Sequence, residues 1–277
     1  MQDRDLADLI RYYTLKELGN IGYGHYGGSL SIVECLAVLY NSKLKVNINN
    51  RHDVNRDYFI LSKGHAGPAY YATLALKGFF EKDILYTLNA NGTNLPSHPD
   101  RNKIPGVDMT TGSLGQGLSV AAGVGYYLKV NNMKNRVYCI LGDGELNEGQ
   151  IWEALLFINH HKLDNITIFV DENKKQLDGL TKDICDLGDL DKKFMSFGYY
   201  TKRVKGNDTD QISSAIDECI GLKNPHIIIL DNIKGSGVEY IENLNENHHL
   251  RLNDQDKKEI DSFIKNLEKN LHERGLL

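Results

Sequence analysis

Two apolar runs, Val137-Tyr138-Cys139-Ile140-Leu141 and Ile166-Thr167-Ile168-Phe169-Val170, flank a segment of helical spacing from Gly149 to His161. A tight hairpin can join only antiparallel strands, so strand, crossover helix and strand together predict a parallel βαβ unit. Tyr58-Phe59-Ile60-Leu61-Ser62 reads as another short buried strand, ending at Lys63-Gly64-His65. Two further strands, Tyr199 to Val204 and Ile227 to Asp231, flank an amphipathic helix near Ile212 to Leu222. The alternation predicts an α/β fold: a doubly wound, mainly parallel sheet with helices on both faces.

Around this frame, Leu6, Leu9, Ile10, Tyr13 and Leu18 recur at helical spacing until Gly19, Gly22, Gly24, Gly27 and Gly28 turn the chain into a glycine loop. Helices are expected from about Ser31 to Tyr40, from Gly112 to Leu128 and, at the carboxyl end, from Asp254 to Leu271. There is no repeat or proline-rich linker among 277 residues with five prolines, so residues 1–277 read as one domain. The net charge of -5 lacks the clustered positive surface that nucleic-acid phosphates require. Met1-Gln2-Asp3-Arg4-Asp5 leads into no apolar signal core, and no run is long enough for a bilayer, so a cytoplasmic protein is expected. Cys35, Cys139, Cys185 and Cys219 form no CxxC pair and read as free thiols in a reducing compartment.

Chemistry concentrates in Leu141-Gly142-Asp143-Gly144-Glu145-Leu146-Asn147-Glu148-Gly149 and, thirty positions beyond Asp143, in Asp171-Glu172-Asn173. Both segments lie at predicted strand ends, and the carboxyl ends of neighbouring parallel strands line one crevice, so Asp143 and Asn173 should converge. A carboxylate and an amide carbonyl, completed by a backbone carbonyl, water and phosphate oxygens, form the hard octahedral set that Mg2+ prefers. Gly144 is expected to leave its amide free for a phosphate, and the helix near Gly149 to add partial positive charge. Taken alone, Gly142-Asp143-Gly144 would be a turn. A calcium loop fails because Glu148 and Ala154 stand where it needs Gly and Glu, and Gly112-Ser113-Leu114-Gly115-Gln116-Gly117 has the wrong order for a dinucleotide loop.

These residues resemble the thiamine-diphosphate enzymes and, within them, the amino-terminal domain of transketolases. Four more segments carry the resemblance: Gly24-His25-Tyr26-Gly27-Gly28-Ser29-Leu30-Ser31, Leu61-Ser62-Lys63-Gly64-His65-Ala66, Ser97-His98-Pro99 and Thr111-Gly112-Ser113-Leu114-Gly115-Gln116-Gly117, in the family's order. It covers the chain to about His249. It implies thiamine diphosphate held through Mg2+, for which Ca2+ or Mn2+ can substitute. Asp143, Asn173 and the Lys175 carbonyl would be metal ligands, and Gly144 a cofactor contact. His65 and His249 would face the diphosphate or the reacting sugar, His25 and His98 the substrate channel, and Gly112 and Leu114 the thiazolium ring. Glu148 and Glu153 resemble acidic residues that meet between paired active sites. Imidazoles suit such a channel because they donate to sugar and phosphate oxygens and move protons near neutral pH.

The activity implied is transfer of a two-carbon ketol unit from a ketose or ketose phosphate to an aldose. In the family, the carboxylate that protonates the cofactor's pyrimidine lies in a second domain, as do the arginines that grip a sugar phosphate. The resemblance therefore implies a separate carboxyl-terminal subunit with a pyrimidine-binding domain, and a heterotetramer. The alpha subunit of a 2-oxo-acid dehydrogenase is disfavoured by the histidine-rich segments, and a non-catalytic assembly subunit by the intact Asp143, Gly144 and Asn173. Tyr26 and Lys174 depart from the family's usual proline and glycine. The larger departure, His248-His249-Leu250-Arg251-Leu252, points to an unusual ketose, lacking the common phosphate or carrying another anion.

Overall fold

The computed structural model describes residues 1–177 and 179–277. Its central strands are β1 (Tyr58–Leu61), β2 (Val137–Gly142), β3 (Ile166–Glu172), β4 (Tyr200–Lys205) and β5 (His226–Asp231). They form one sheet in the order β1-β2-β3-β5-β4, and every neighbouring pair is parallel. The longer helices are α1 (Asp3–Ile21), α2 (Gly67–Leu76), α3 (Gln116–Val130), α4 (Gly149–His160), α5 (Thr209–Ile220) and α6 (Asp254–Glu273).

Side chains alternate across a strand, so a run that is apolar throughout feeds two cores. Phe59, Leu61, Tyr138, Ile140, Phe169 and Ile228 pack on one face with Leu15 of α1, Leu74 of α2, Ile216 of α5 and Ile264 of α6. Ile60, Cys139, Leu141, Ile168, Val170 and Ile229 pack on the other with Leu118 of α3 and Leu155 and Ile158 of α4. Burial of each such side chain contributes roughly 1.5–3 kcal/mol, and together they hold the strand ends in fixed register. The sheet is doubly wound, as the alternation of runs predicts. At the carboxyl end of the chain, Asn253 and Asp256 cap α6 reciprocally, the Asp256 amide donating to Asn253 Oδ1 at 2.9 Å and the Asn253 amide to Asp256 Oδ2 at 2.8 Å.

Three predicted boundaries move. α1 continues through Gly19 to Ile21, and Tyr26–Leu30 is helical, so the expected glycine loop shrinks to a few residues around Gly22 to His25. The helix expected from Ser31 to Tyr40 is a short α-helix, Val33–Val38, running into a π turn, Leu39–Lys43. α3 begins at Gln116, four residues later than expected, because Gly112 and Gly115 have φ of 142° and 86°, which helical backbone does not tolerate. Cys35, Cys139 and Cys219 are buried, Cys185 is exposed, and all four are free thiols. Among the described residues no helix is long and apolar enough to cross a membrane.

Candidate functional site

The carboxyl ends of β1, β2 and β3 meet in one polar crevice. β2 runs into a 3-10 turn, Gly144–Asn147, capped by Asp143. The Asp143 carboxylate takes two amides, Gly144 N on Oδ1 at 2.8 Å and Lys174 N on Oδ2 at 2.6 Å. It therefore abuts the peptide that follows Asn173, and the two predicted ligands lie side by side. One expectation is corrected: the Gly144 amide is not free, because the preceding carboxylate captures it locally. Asp143 is 5% exposed. Burial, and next the charge of Asp171, push its pKa up to about 7 against the pull of the two amides.

Asn173 is held by a buried network. Asp171 Oδ2 accepts from Asn173 Nδ2 at 2.7 Å, from Lys63 Nζ at 2.6 Å and from Ser31 Oγ at 2.6 Å. The Asn173 amide oxygen accepts from Lys175 N at 3.3 Å. The Lys63–Asp171 pair is fully buried, and Asp171 Oδ1 is left without a partner. Nearby, the Lys175 carbonyl accepts from Lys234 Nζ at 2.9 Å. Among the described residues no three His, Cys, Asp or Glu side chains cluster as a metal site. A carboxylate, an amide oxygen and a main-chain carbonyl are a different donor set, one that suits a hard divalent ion completed by water and phosphate oxygens. The costly burial of Asp143 beside Asp171 likewise fits a site that takes up positive charge.

Five histidines crowd the same crevice. The His25 ring lies 5.5 Å from His65, 5.7 Å from His98, 5.3 Å from His248 and 4.8 Å from His249. Burial drives the pKa of His25 down to about 4 and that of His248 to about 3, and holds His65 and His98 below the usual imidazole value. Neutral rings each keep one donor and one acceptor for a polyhydroxylated ligand. Gly28 permits this crowding, since a Cβ there would come within 2.8 Å of His65 Nε2.

His249 is exposed at the rim, whereas His248 faces inward, its ring 4.8 Å from His65 and its Nδ1 3.0 Å from Lys234 Nζ. Lys234 and His248 are the residues that sequence reasoning missed. Lys234 is 2% exposed, and burial lowers its pKa to about 8. Its signal was available: it stands three residues beyond the carboxyl end of β5, where ligands gather in such sheets.

Of the other predicted residues, Gly112 lies against His98, and Leu114 is half-buried in the loop before α3. That loop is tied down by Glu145, whose buried carboxylate accepts from Ser62 Oγ at 2.5 Å, Gly115 N at 2.9 Å and Gly142 N at 3.1 Å. Glu148 stands at the N-cap position of α4 without a capping hydrogen bond, Glu153 sits one turn on, and both are exposed.

Residues 2–264 match the family described as transketolase, thiamine diphosphate binding domain. The chain belongs to that family. It is 45% identical over 250 residues to the 6-deoxy-6-sulfo-D-fructose transketolase subunit SqwG of Clostridium sp. (strain MSTE9), covering 90% of this chain and 91% of that protein. It is 41% identical over 226 residues to one of the subunits of the apulose-4-phosphate transketolase of Actinobacillus succinogenes, covering 82% of each. Among solved structures, transketolase from Campylobacter jejuni superposes with a TM-score of 0.87 at 26% identity, over 96% of this chain and 43% of that one. Transketolase from Leishmania mexicana gives 0.85 at 26% identity, over 96% and 41%. The chain thus spans about two-fifths of those transketolases but nearly all of the sulfofructose transketolase subunit.

Proposed function

We propose that this chain is the cofactor-holding subunit of a two-chain transketolase that moves a two-carbon ketol unit from a ketose with a terminal anion to an aldose. The observation that carries the reading is the adjacency of Asp143 and Asn173, tied through the Lys174 amide, in the same crevice as a cluster of histidines. Mg2+ would be held by Asp143, Asn173 and the Lys175 carbonyl, with the diphosphate facing Lys234 and His65. Thiamine diphosphate, when bound, supplies the electron sink that ketol transfer needs.

The protein's own groups do the rest. Asp171 fixes the Asn173 amide, and Glu145 holds the loops of Ser62 and Gly115 against β2. His25, His98 and His248 line the donor side, where neutral imidazoles can orient hydroxyls and pass protons. His249 guards the rim. Glu148 and Glu153 remain available for contact between paired sites. The carboxylate that protonates the pyrimidine would come from a partner subunit carrying a pyrimidine-binding domain, in a heterotetramer; the relatives named as subunits support a partner. The names of those relatives also favour an anionic ketose, a sulfonate or a phosphate.

Co-expression with a pyrimidine-domain chain encoded beside it, followed by a ketol-transfer assay with 6-deoxy-6-sulfofructose and an aldose phosphate acceptor, tests the proposal. Transfer that requires both chains is expected. Calorimetry on Asp143→Ala should show loss of Mg2+-dependent thiamine diphosphate binding, and undiminished binding would remove the metal assignment.

A further inference from the structure

The loop that departs most from the family's pattern pairs with the segment just before the first channel histidine. Tyr23–Gly24 and Leu250–Arg251 form a two-stranded antiparallel ribbon in which Tyr23 lies opposite Arg251 and Gly24 opposite Leu250. Directly opposed residues share a face, and faces alternate along each strand. Leu250 turns into the core, so Tyr23 and Arg251 occupy the outward face. Two residues further in on that face the same parity brings His25 and His249 together, with rings 4.8 Å apart. The Tyr23 and His249 rings lie 6.1 Å apart, which joins the two levels.

A single stripe therefore leads outward from the histidine cluster: His25 with His249, then Tyr23 with Arg251, about 7 Å further along the strands. Arg11, Arg56, Arg203 and Arg274 each pair with a carboxylate. Exposed Arg251, like Arg4, Arg51, Arg101 and Arg136, forms no ion pair among the described residues, and its place on this stripe is what sets it apart. Its planar guanidinium matches the paired oxygens of a sulfonate or phosphate, and the ring N–H of His249 and phenol of Tyr23 add donors beside it.

We infer that Arg251, flanked by Tyr23 and His249, is the subsite for the terminal anion of the ketose donor. This rests on the ketol-transfer reading and deepens it. A ketose whose inner hydroxyls engage the histidines directs its far end along the stripe toward Arg251. The residue then sets donor specificity from this chain, in addition to whatever the partner subunit provides.

Three six-carbon donors that differ only at C6 test the inference: 6-deoxy-6-sulfofructose, fructose 6-phosphate and fructose, each assayed with the two-chain complex. In Arg251→Gln, KM for one or both charged donors should rise about 10- to 100-fold with kcat little changed, while kcat/KM for fructose stays at the wild-type level. The donor with the larger rise identifies sulfonate or phosphate as the natural anion. Arg251→Lys should recover part of the loss, and an unchanged melting temperature in both variants would separate recognition from folding. Equal loss for all three donors, or no change for any, overturns the subsite while leaving the transketolase reading intact. A complex that transfers a ketol unit from none of the three removes that reading and the subsite with it.

Discussion

Strand β1 has an ion pair at each end, half-buried at the amino end and fully buried at the carboxyl end, and the two are built differently. Before its amino end, Arg56 pairs with Asp108, whose carboxylate also accepts the Phe59 amide at 2.8 Å, while the guanidinium reaches the Arg51 and Asp57 carbonyls at 2.8 Å each. Both Asp108 oxygens are used. Beyond its carboxyl end, Lys63 pairs with Asp171, where one oxygen collects three donors and the other has none. The first pair closes a loop against the sheet and is complete in itself. The second spends its hydrogen bonds on aiming Asn173, in a crevice that also buries Asp143, Glu145 and Lys234. Burying a charge costs free energy wherever it occurs, so the contrast lies in what the burial accomplishes: closure at one end, orientation of a ligand at the other.

The largest test of this contrast is Lys63→Met, which leaves Asp171 uncompensated. It should cost roughly 3–5 kcal/mol in urea unfolding and also weaken Mg2+-dependent thiamine diphosphate binding by calorimetry. A destabilised variant with wild-type cofactor affinity would break the distinction.

Acid titration probes both ends of the sheet at once. His226, at the amino end of β5, is fully buried between Thr167 and the Asn224 carbonyl, and burial lowers its pKa from 6.5 to about 4. Between those values the unfolded chain takes up a proton that the folded ring refuses, so the stability His226 contributes falls as pH drops from 6.5 toward 4 and levels off below. The loss from His226 alone should approach about 3 kcal/mol, and the depressed crevice histidines act in the same direction. Asp143, whose pKa burial raises to about 7, acts in the opposite direction over the same window, so the check is the comparison with His226→Gln: a wild-type chain that loses no more stability than this variant between pH 6.5 and 4 would contradict the burial of His226 as a neutral ring.

Arg56→Met should remove about 2 kcal/mol of stability yet leave cofactor affinity and turnover per folded molecule unchanged. A loss of affinity there would mean that the two pairs do not differ as described. The smallest effect is expected of Ser62→Ala, which deprives Glu145 of one of three donors. About 1 kcal/mol should be lost on thermal unfolding, with a modest rise in KM for the cofactor, because two backbone amides still anchor the carboxylate.

The amino-acid sequence by itself determined the frame and the place of chemistry. Runs such as Ile166 to Val170, apolar at nearly every position, require cover on both faces, and that requirement yields a parallel, doubly wound sheet whose carboxyl ends bring Asp143 and Asn173 together. Only the tertiary structure decided which neighbours of those residues turn inward. Lys234 reads as a solvated charge until the packing around β5 buries it, and burial belongs to the assembled fold rather than to the residue. His248 and His249 are adjacent and chemically identical, so nothing local ranks them. Their opposite placements follow from the register of a ribbon formed with Tyr23 and Gly24, more than two hundred residues away, where a shift of one residue would exchange the two faces.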